Sequence, residues 1–336
     1  FVTIRQSKYV TDAGADAVKF QTFSAKTLYS KYTPKFSYLE AQGDTKDTYS
    51  IIEDAELPQE WQPILFDYAR EKGLLWLSTP TDRAGVDQLD ALGVPAFKVS
   101  SYEAVDLPFV SYVASKGKPL IISTGMCSRD EIGEIVATAS YVTDIPIALL
   151  QCTSLYPAPY NLTNLMAMRS EMARIDYVRS RHGERQNQYY LQVYPVVGLS
   201  DHTPGIHIPI AAVALGASII EKHFTLDRNL PGPDHRHSLE PDEFAAMVQQ
   251  IRDVEAALGD GRKTGPAPEE MEMYQKARRS VVATMDIPAG TVITEAMVTS
   301  KRPGYGVPAR DIGKVVGRVA KTDIFEDEVI AWEMLN

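Results

Sequence analysis

From Ala13 onward, short apolar and β-branched runs alternate with longer stretches whose apolar residues recur at three and four spacings. Few folds accommodate such an order, because it is the signature of βαβ units and a parallel sheet. The expected strands are Ala17 to Gln21, Leu74 to Ser78, Ala96 to Ser100, Leu120 to Ser123, Ile147 to Gln151, Val196 to Leu199 and Ser218 to Glu221. Amphipathic segments such as Trp61 to Lys72 and Asp242 to Leu258 lie between them. Seven strands in helix-separated order fall one short of an eight-stranded barrel. An open doubly wound sheet would accommodate seven, but no GxGxxG follows any strand, so a nucleotide-binding version has no support. The stretch before Ala13 reads as a helix leading straight into a strand, so an initial strand is expected to be missing from the sequence as it stands.

The 336 residues, 44% of them hydrophobic, supply a barrel-sized core with room for a small second domain. No apolar run reaches the roughly 18 residues that span a bilayer. The opening Phe1-Val2-Thr3-Ile4-Arg5 lacks a signal-peptide pattern, so a cytoplasmic protein without membrane partners is expected. Cys127 and Cys152 sit in apolar segments without CxxC spacing and are read as reduced and mostly buried. A formal charge of -10 argues against nucleic-acid binding, which needs clustered Lys and Arg. An anionic small substrate would instead need a local basic pocket.

Around Gly259 to Pro268 the composition shifts to Gly, Pro and charge, which marks a linker. The expected division is 1–262 for the larger domain, 263–278 for the linker and 279–336 for a small, turn-rich β-domain. Its strand-like runs are Arg279 to Ala283 and Thr291 to Ile293. Between Arg169 and Tyr194, arginines interleave with tyrosines, a pattern read as a solvated helix and loop outside the barrel.

In parallel barrels, functional groups collect at the carboxyl ends of the strands, whose loops surround one mouth. Polar residues recur there: Lys19 and Gln21, Thr79, Lys98 with Ser101 and Glu103, Ser123, then Thr153, Ser154 and Tyr156, Ser200 and His202, and Glu221 with His223. Lys19 and Lys98 are flanked by apolar residues, where an unpaired ammonium is costly to bury, so each needs an anion. Carboxylate partners would satisfy them; a hydroxyl-rich cationic cup for phosphate is the preferred reading. His202 and His223 each follow an apolar strand on neighbouring strands and could ligate a divalent metal or make only hydrogen bonds. Asp234-His235-Arg236-His237 is a rival metal loop, made less attractive by the intervening Arg236. Asp234 itself reads as a rigidly held acceptor for a polyhydroxylated ligand.

Taken in order, Ala13 to Thr22, Leu77-Ser78-Thr79-Pro80, Ser123-Thr124-Gly125-Met126, Gln151 to Pro157, Gly198 to Thr203, Glu221 to Thr225 and Pro231 to His235 closely resemble the sialic acid synthase family, which includes legionaminate, pseudaminate and spore-coat polysaccharide synthases. The resemblance runs from about Val10 to the C-terminus, with the arginine–tyrosine segment as an insertion. It implies a TIM-type (β/α)8 barrel followed by an antifreeze-like (SAF) β-domain, which Lys301 to Gly306 resembles. Lys19, Thr79, Lys98, Ser101, Ser123, Ser154 and Ser200 match positions that hold phosphoenolpyruvate, although Asn often stands where Ser154 does. His202 and His223 match ligands of manganese, for which Mg2+ or Co2+ are substitutes. Gln21, Glu103, Tyr156 and Asp234 match positions around the sugar. Arg302 matches an arginine that reaches the N-acyl group across a domain-swapped homodimer.

The implied reaction is condensation of phosphoenolpyruvate with an N-acetylated sugar aldehyde, either N-acetylmannosamine or a diacetamido-trideoxyhexose, to a nonulosonic acid and phosphate. Lys98, His202 and Glu103 are the expected catalytic groups, with Glu103 in proton transfer or hydroxyl anchoring. The family's first-strand glutamate precedes the sequence as it stands, so these residues alone are expected to bind ligands and turn over poorly. Two other readings remain: a 3-deoxy-aldulosonate synthase using a phosphorylated sugar, and a non-catalytic sugar-binding homologue.

Overall fold

The computed structural model describes residues 4–36, 39, 46–142, 144–170 and 196–336. The arginine–tyrosine segment lies outside these residues beyond Ser170. The chain divides into two compact units, Phe1–Gly259 and Asp260–Asn336.

In the larger unit, α1 (Ile4–Asp12) leads into β1 (Ala17–Thr22), and two short helices, Ala25–Leu28 and Thr48–Asp54, precede α2 (Gln62–Glu71). There follow β2 (Leu75–Pro80), α3 (Arg83–Ala91), β3 (Phe97–Val99), α4 (Leu107–Ala114), β4 (Leu120–Ser123), α5 (Arg129–Val142) and β5 (Ile147–Cys152). The unit closes with β6 (Val196–Asp201), α6 (His207–Ala214), β7 (Ile219–Lys222) and α7 (Pro241–Leu258). All pairings are parallel, β1 with β2 and then β3-β4-β5-β6-β7 in sequence order, with β2 lying beside β3.

The curvature of this sheet follows from one contact. In a flat sheet β3 and β7 would stand four spacings of about 4.8 Å apart, roughly 19 Å in all. Yet Lys98 Nζ on β3 lies 3.8 Å from Glu221 Oε2 on β7. Two side chains of ordinary length meet that closely only if the sheet curls round and both point inward. The architecture is therefore a TIM-type β/α barrel and not the open sheet that seven strands would also allow.

The two-residue period of β1 shows how the layer between barrel and helices is filled. Val18, Phe20 and Thr22 are buried, and Phe20 lies 5.6 Å from Phe66 of α2, which stacks at 4.2 Å on Trp76 of β2. The opposite face of the same strand carries Lys19 and Gln21. Caps place the loops of the mouth: Asp82 accepts from Gly85 N–H at 2.7 Å to start α3, and Asp106 from Phe109 N–H at 3.1 Å to start α4. Each such cap contributes about 1 kcal/mol. At Gly198 on β6 an added Cβ would lie 2.2 Å from the Ile219 carbonyl oxygen, so only glycine permits β6 and β7 to approach as they do.

In the smaller unit β8 (Ser280–Ala283) pairs antiparallel with β9 (Val298–Lys301). Its core comprises Val281, Ala283, Ile287, Ile293, Val307, Ile324 and Ile330, all buried. The expected strand Thr291 to Ile293 is corrected to an isolated bridge between Val292 and Val319. Ile293 enters the core while Val292 is exposed, and the turn at Gly290, with φ of 83°, leaves too short an extended run for a ladder. Among the described residues no helix is long and apolar enough to cross a membrane.

Candidate active site

The carboxyl ends of the barrel strands bring two chemically distinct clusters to one mouth. The first is cationic and hydroxyl-rich. Lys98 is almost fully buried, and its Nζ donates to Ser123 Oγ at 2.7 Å and to the Val99 carbonyl at 3.0 Å, with Glu221 at 3.8 Å. Burial lowers its pKa, Glu221 opposes that shift, and Lys19 adds to it. Lys19 donates to Thr79 Oγ1 at 3.3 Å from the neighbouring strand. Across the mouth, Gly125 N–H donates to Ser101 Oγ at 2.9 Å. A Cβ on Gly125 would stand 2.4 Å from Ser154 Oγ and 2.8 Å from Ser101 Oγ, so the bare backbone here leaves room for those two hydroxyls. Ser154 Oγ is buried without a partner among the described residues, which fits a hydroxyl that awaits a ligand. Ser154 also borders a cavity of about 550 Å³ lined by Thr124, Met126, Arg129 and Thr153.

Glu221 is the carboxylate of this cluster. Its oxygen accepts from Ser200 Oγ at 2.9 Å. Burial alone would raise its pKa, but Lys98, Lys19 and the Ser200 hydroxyl outweigh it and hold the group at about 2, against an ordinary 4.5. A depressed carboxyl stabilises the fold fully above its unfolded value and loses that contribution as pH falls through the folded one. The shift corresponds to about 3 kcal/mol, present above pH 4.5 and lost progressively toward pH 2. Urea unfolding of Glu221→Gln is accordingly expected to show a shallower loss of stability across that window than the parent protein. Equal slopes would mean that the Lys98–Glu221 contact is not the source.

The second cluster is built from imidazoles. At the ends of β6 and β7, Asp201 Oδ2 accepts from Lys222 Nζ at 2.5 Å, with both side chains buried. Asp201 also accepts from the backbone and hydroxyl of Thr203, both at 3.0 Å. Because Asp201 and Lys222 are register partners, the residues that follow them, His202 and His223, lie side by side with ring centres 5.2 Å apart. His202 Nδ1 lies 2.9 Å from the Thr153 carbonyl and 3.9 Å from Cys152 Sγ. Burial works against protonation of His202, but Cys152, Thr153 and Glu221 outweigh it and raise the pKa. For His223 burial dominates, and despite Asp234 its pKa falls to about 3.

The loop after β7 folds back on this pair. Leu239 N–H donates to the His223 carbonyl at 2.9 Å, and Thr225 N–H to the Leu239 carbonyl at 2.9 Å. This short parallel bridge carries Asp234 to 3.7 Å from His223 and places the buried His237 ring 4.9 Å from it. Burial lowers the His237 pKa against the pull of Asp234. His235 is instead held by Thr225 at 2.7 Å, and Arg236, the residue that made this loop unattractive, is exposed while His237 is buried. Tyr156 roofs the cluster, 4.3 Å from His202 and 5.4 Å from His237, with its hydroxyl 3.5 Å from that of Tyr102. Burial raises the pKa of Tyr156 above its ordinary value.

Lys19, Thr79, Lys98, Ser101, Ser123, Ser154, Tyr156, Ser200, His202, His223 and Asp234 thus all belong to one of these two groups of contacts. Gln21 is exposed at the end of β1, where it pairs in register with Thr79. Glu103 takes a hydrogen bond from Ser100, and burial raises its pKa against the opposing pull of that bond and of Lys98. Arg302 is exposed in the smaller unit, just after β9. Two groups stand out that the sequence had not ranked as site residues: Glu221, visible only as one of several polar strand ends, and His237, set aside with its loop.

Comparison with known proteins places these features. The model of the NeuB family matches residues 8–181 and 184–263, and that of the SAF domain matches residues 278–336. The chain is 39% identical to the N,N'-diacetyllegionaminic acid synthase of Campylobacter jejuni, covering 95% of this chain and 91% of that protein. It is 37% identical to the enzyme of the same name from Legionella pneumophila, covering 97% and 87%. Among solved structures, the N-acetylneuraminic acid synthetase of Leptospira borgpetersenii superposes with a TM-score of 0.64 at 30% identity, covering 80% and 83%.

Proposed function

This chain belongs to the NeuB family and carries a SAF domain, and from that membership we propose that it condenses phosphoenolpyruvate with an N-acetylated sugar aldehyde to give a nonulosonic acid and phosphate. That it is an enzyme, a synthase of sialic-type acids, follows from the named activities of its relatives. For the acceptor we favour a diacetamido-trideoxyhexose, as in legionaminate synthesis, over N-acetylmannosamine, because the two relatives compared above carry that name.

The observation that carries the reading is the pairing of an anion cradle with an imidazole cluster at one end of the barrel. Lys98 and Lys19, with the hydroxyls of Thr79, Ser101, Ser123 and Ser154, have the charge and donors to hold the phosphate and carboxylate of phosphoenolpyruvate. Held there, its C3 can attack the aldehyde carbon. The new C–C bond leaves positive charge at C2, water adds to C2, and the C–O bond to phosphate breaks. The proton given up by water balances the one gained by the aldehyde oxygen. Glu103, with its raised pKa, is the residue suited to carry a proton in this exchange. Gln21, Tyr156 and Asp234 are the groups assigned to the sugar.

The residues present also fit a divalent metal, manganese by resemblance with magnesium or cobalt as substitutes. Imidazoles, a carboxylate and a buried ring nitrogen without a hydrogen-bond partner among the described residues converge beside the cradle. When bound, the ion would act as a Lewis acid toward the aldehyde oxygen. A homodimer in which the partner's SAF domain supplies Arg302 belongs to the same proposal and rests on the resemblance alone.

The test is an assay with manganese, phosphoenolpyruvate and a panel of N-acetylmannosamine and diacetamido-trideoxyhexoses. Phosphate and 2-keto acid are expected in equal amounts, and in 18O-water the released phosphate should carry no label. Phosphate release without a matching keto acid, or none with any N-acetylated aldehyde in a chain that also carries the family's first-strand glutamate, overturns the proposal.

A further inference from the structure

We propose that His223, Asp234 and His237 form a three-donor site for a divalent cation, with His237 a ligand beyond the pair that the family resemblance implies. The proposal deepens the metal-dependent reading above, yet its test needs no turnover.

One donor atom from each of the three residues lies within 4.8 Å of the other two. His223 Nδ1 is 3.7 Å from Asp234 Oδ2, and His237 Nε2 is 4.0 Å from Asp234 Oδ1. An imidazole hydrogen-bonded to a carboxylate would close to about 2.7–3.2 Å. Two donors bound to one tetrahedral ion at about 2.1 Å stand about 3.4 Å apart. The observed gaps, which run to the two different oxygens of Asp234, exceed the first distance clearly and the second by about 0.3 and 0.6 Å, so ligation requires the side chains of this loop to close inward.

The second observation is His237 itself. Its side chain is 2% exposed, and its Nε2 has no hydrogen-bond partner among the described residues. Leaving such a nitrogen buried and unmet costs about 1–3 kcal/mol, which ligation would remove. Nor is the position accidental. The bridge between Phe224 and Leu239, with the hydrogen bond from Leu239 N–H to the His223 carbonyl, fixes the loop's end, and Ser238 Oγ donates to the Asp234 carbonyl at 2.7 Å, so contacts of the loop itself bring all three donors together without an ion. Two nitrogens and one carboxylate suit Mn2+, Co2+ or Zn2+ and leave positions open for water or a substrate oxygen. His202, 5.2 Å from His223 between ring centres, borders the site from β6; variants at position 237 leave it in place, so what they lose is the share of His237.

Mn2+ binding to the full chain, followed by the EPR signal of free Mn2+ without phosphoenolpyruvate, is expected to weaken about tenfold or more in His237→Ala, an effect at least as large as loss of an outer-shell partner. Pulsed EPR should show nitrogen coupling from bound imidazole reduced in the same variant. His237→Asp, which keeps a donor but makes it oxygen, is expected to retain Mn2+ and lose preference for Co2+, and it serves as the reading if the alanine variant does not fold. Mn2+ affinity within twofold of the parent protein together with unchanged nitrogen coupling, or an unchanged Mn2+ to Co2+ ratio in His237→Asp, overturns the proposal. Catalytic turnover with metal binding indifferent to His237 would sink this inference and leave the synthase reading intact. Metal binding that depends on His237 without condensation would do the reverse.

Discussion

Lys98→Met is expected to lower kcat/KM for phosphoenolpyruvate by about 10²–10³-fold, the usual effect of removing one pre-positioned donor from a water-poor site. Methionine fills the same buried space, so the loss would be one of charge and hydrogen bonding more than packing. In the free protein the ammonium is already oriented by Ser123 and the Val99 carbonyl and held near Glu221, so it need not reorganise when an anion arrives. Removing it also leaves Glu221 with Lys19, Ser200 and the weaker pull of His223 to offset its burial, so the Glu221 carboxyl should rise from about 2. The pH profile of the variant should therefore lose its plateau at a higher pH on the acid side. Steady-state kinetics over a range of phosphoenolpyruvate concentrations would check this. A change of less than threefold would mean that Lys98 only balances Glu221 and takes no part in holding the anion.

The largest effect on stability is expected at Lys222→Met, at about 3–5 kcal/mol, because it leaves a buried carboxylate without its cation. Asp201 would keep its two bonds from Thr203, but its charge would remain in a site where both partners are 1% exposed. The combined change Asp201→Leu with Lys222→Met removes both charges and should recover most of the loss, which identifies the uncompensated charge as the cause. Urea unfolding of the two variants gives the comparison. If the double variant is as unstable as the single one, packing is responsible and the ion pair is not. Since His202 and His223 directly follow this pair, the single variant should also bind Mn2+ less tightly even where it stays folded.

Much of the fold could be read locally. Val18, Phe20, Lys19 and Gln21 show their sides of β1 through the two-residue alternation alone, and the helices Gln62–Glu71 and Pro241–Leu258 follow their apolar spacing to within a residue or two of the expected ends. The run at Thr291 is extended and bonds to residues 317–320, but the pairing is confined to one bridge at Val292 because the turn at Gly290 cuts it short. β9, Val298–Lys301, carries no strand signal for the opposite reason: three of its four residues are polar, yet β8 pairs with all four.

What the sequence determined by itself was the order of strands and helices and the collection of lysines, hydroxyls and imidazoles at strand ends, since backbone period and capping act over a few residues. What only the tertiary structure decided was which of these groups meet. Glu103, close to Lys98 in sequence, bonds to Ser100, while Glu221 from four strands away comes to 3.8 Å of that lysine because the sheet curls. His237 reaches His223 because a loop doubles back and bridges at Leu239. Interactions between charges and between metal donors depend on separation in space, and in a closed barrel that separation is set by curvature and loop return, neither of which a local pattern contains.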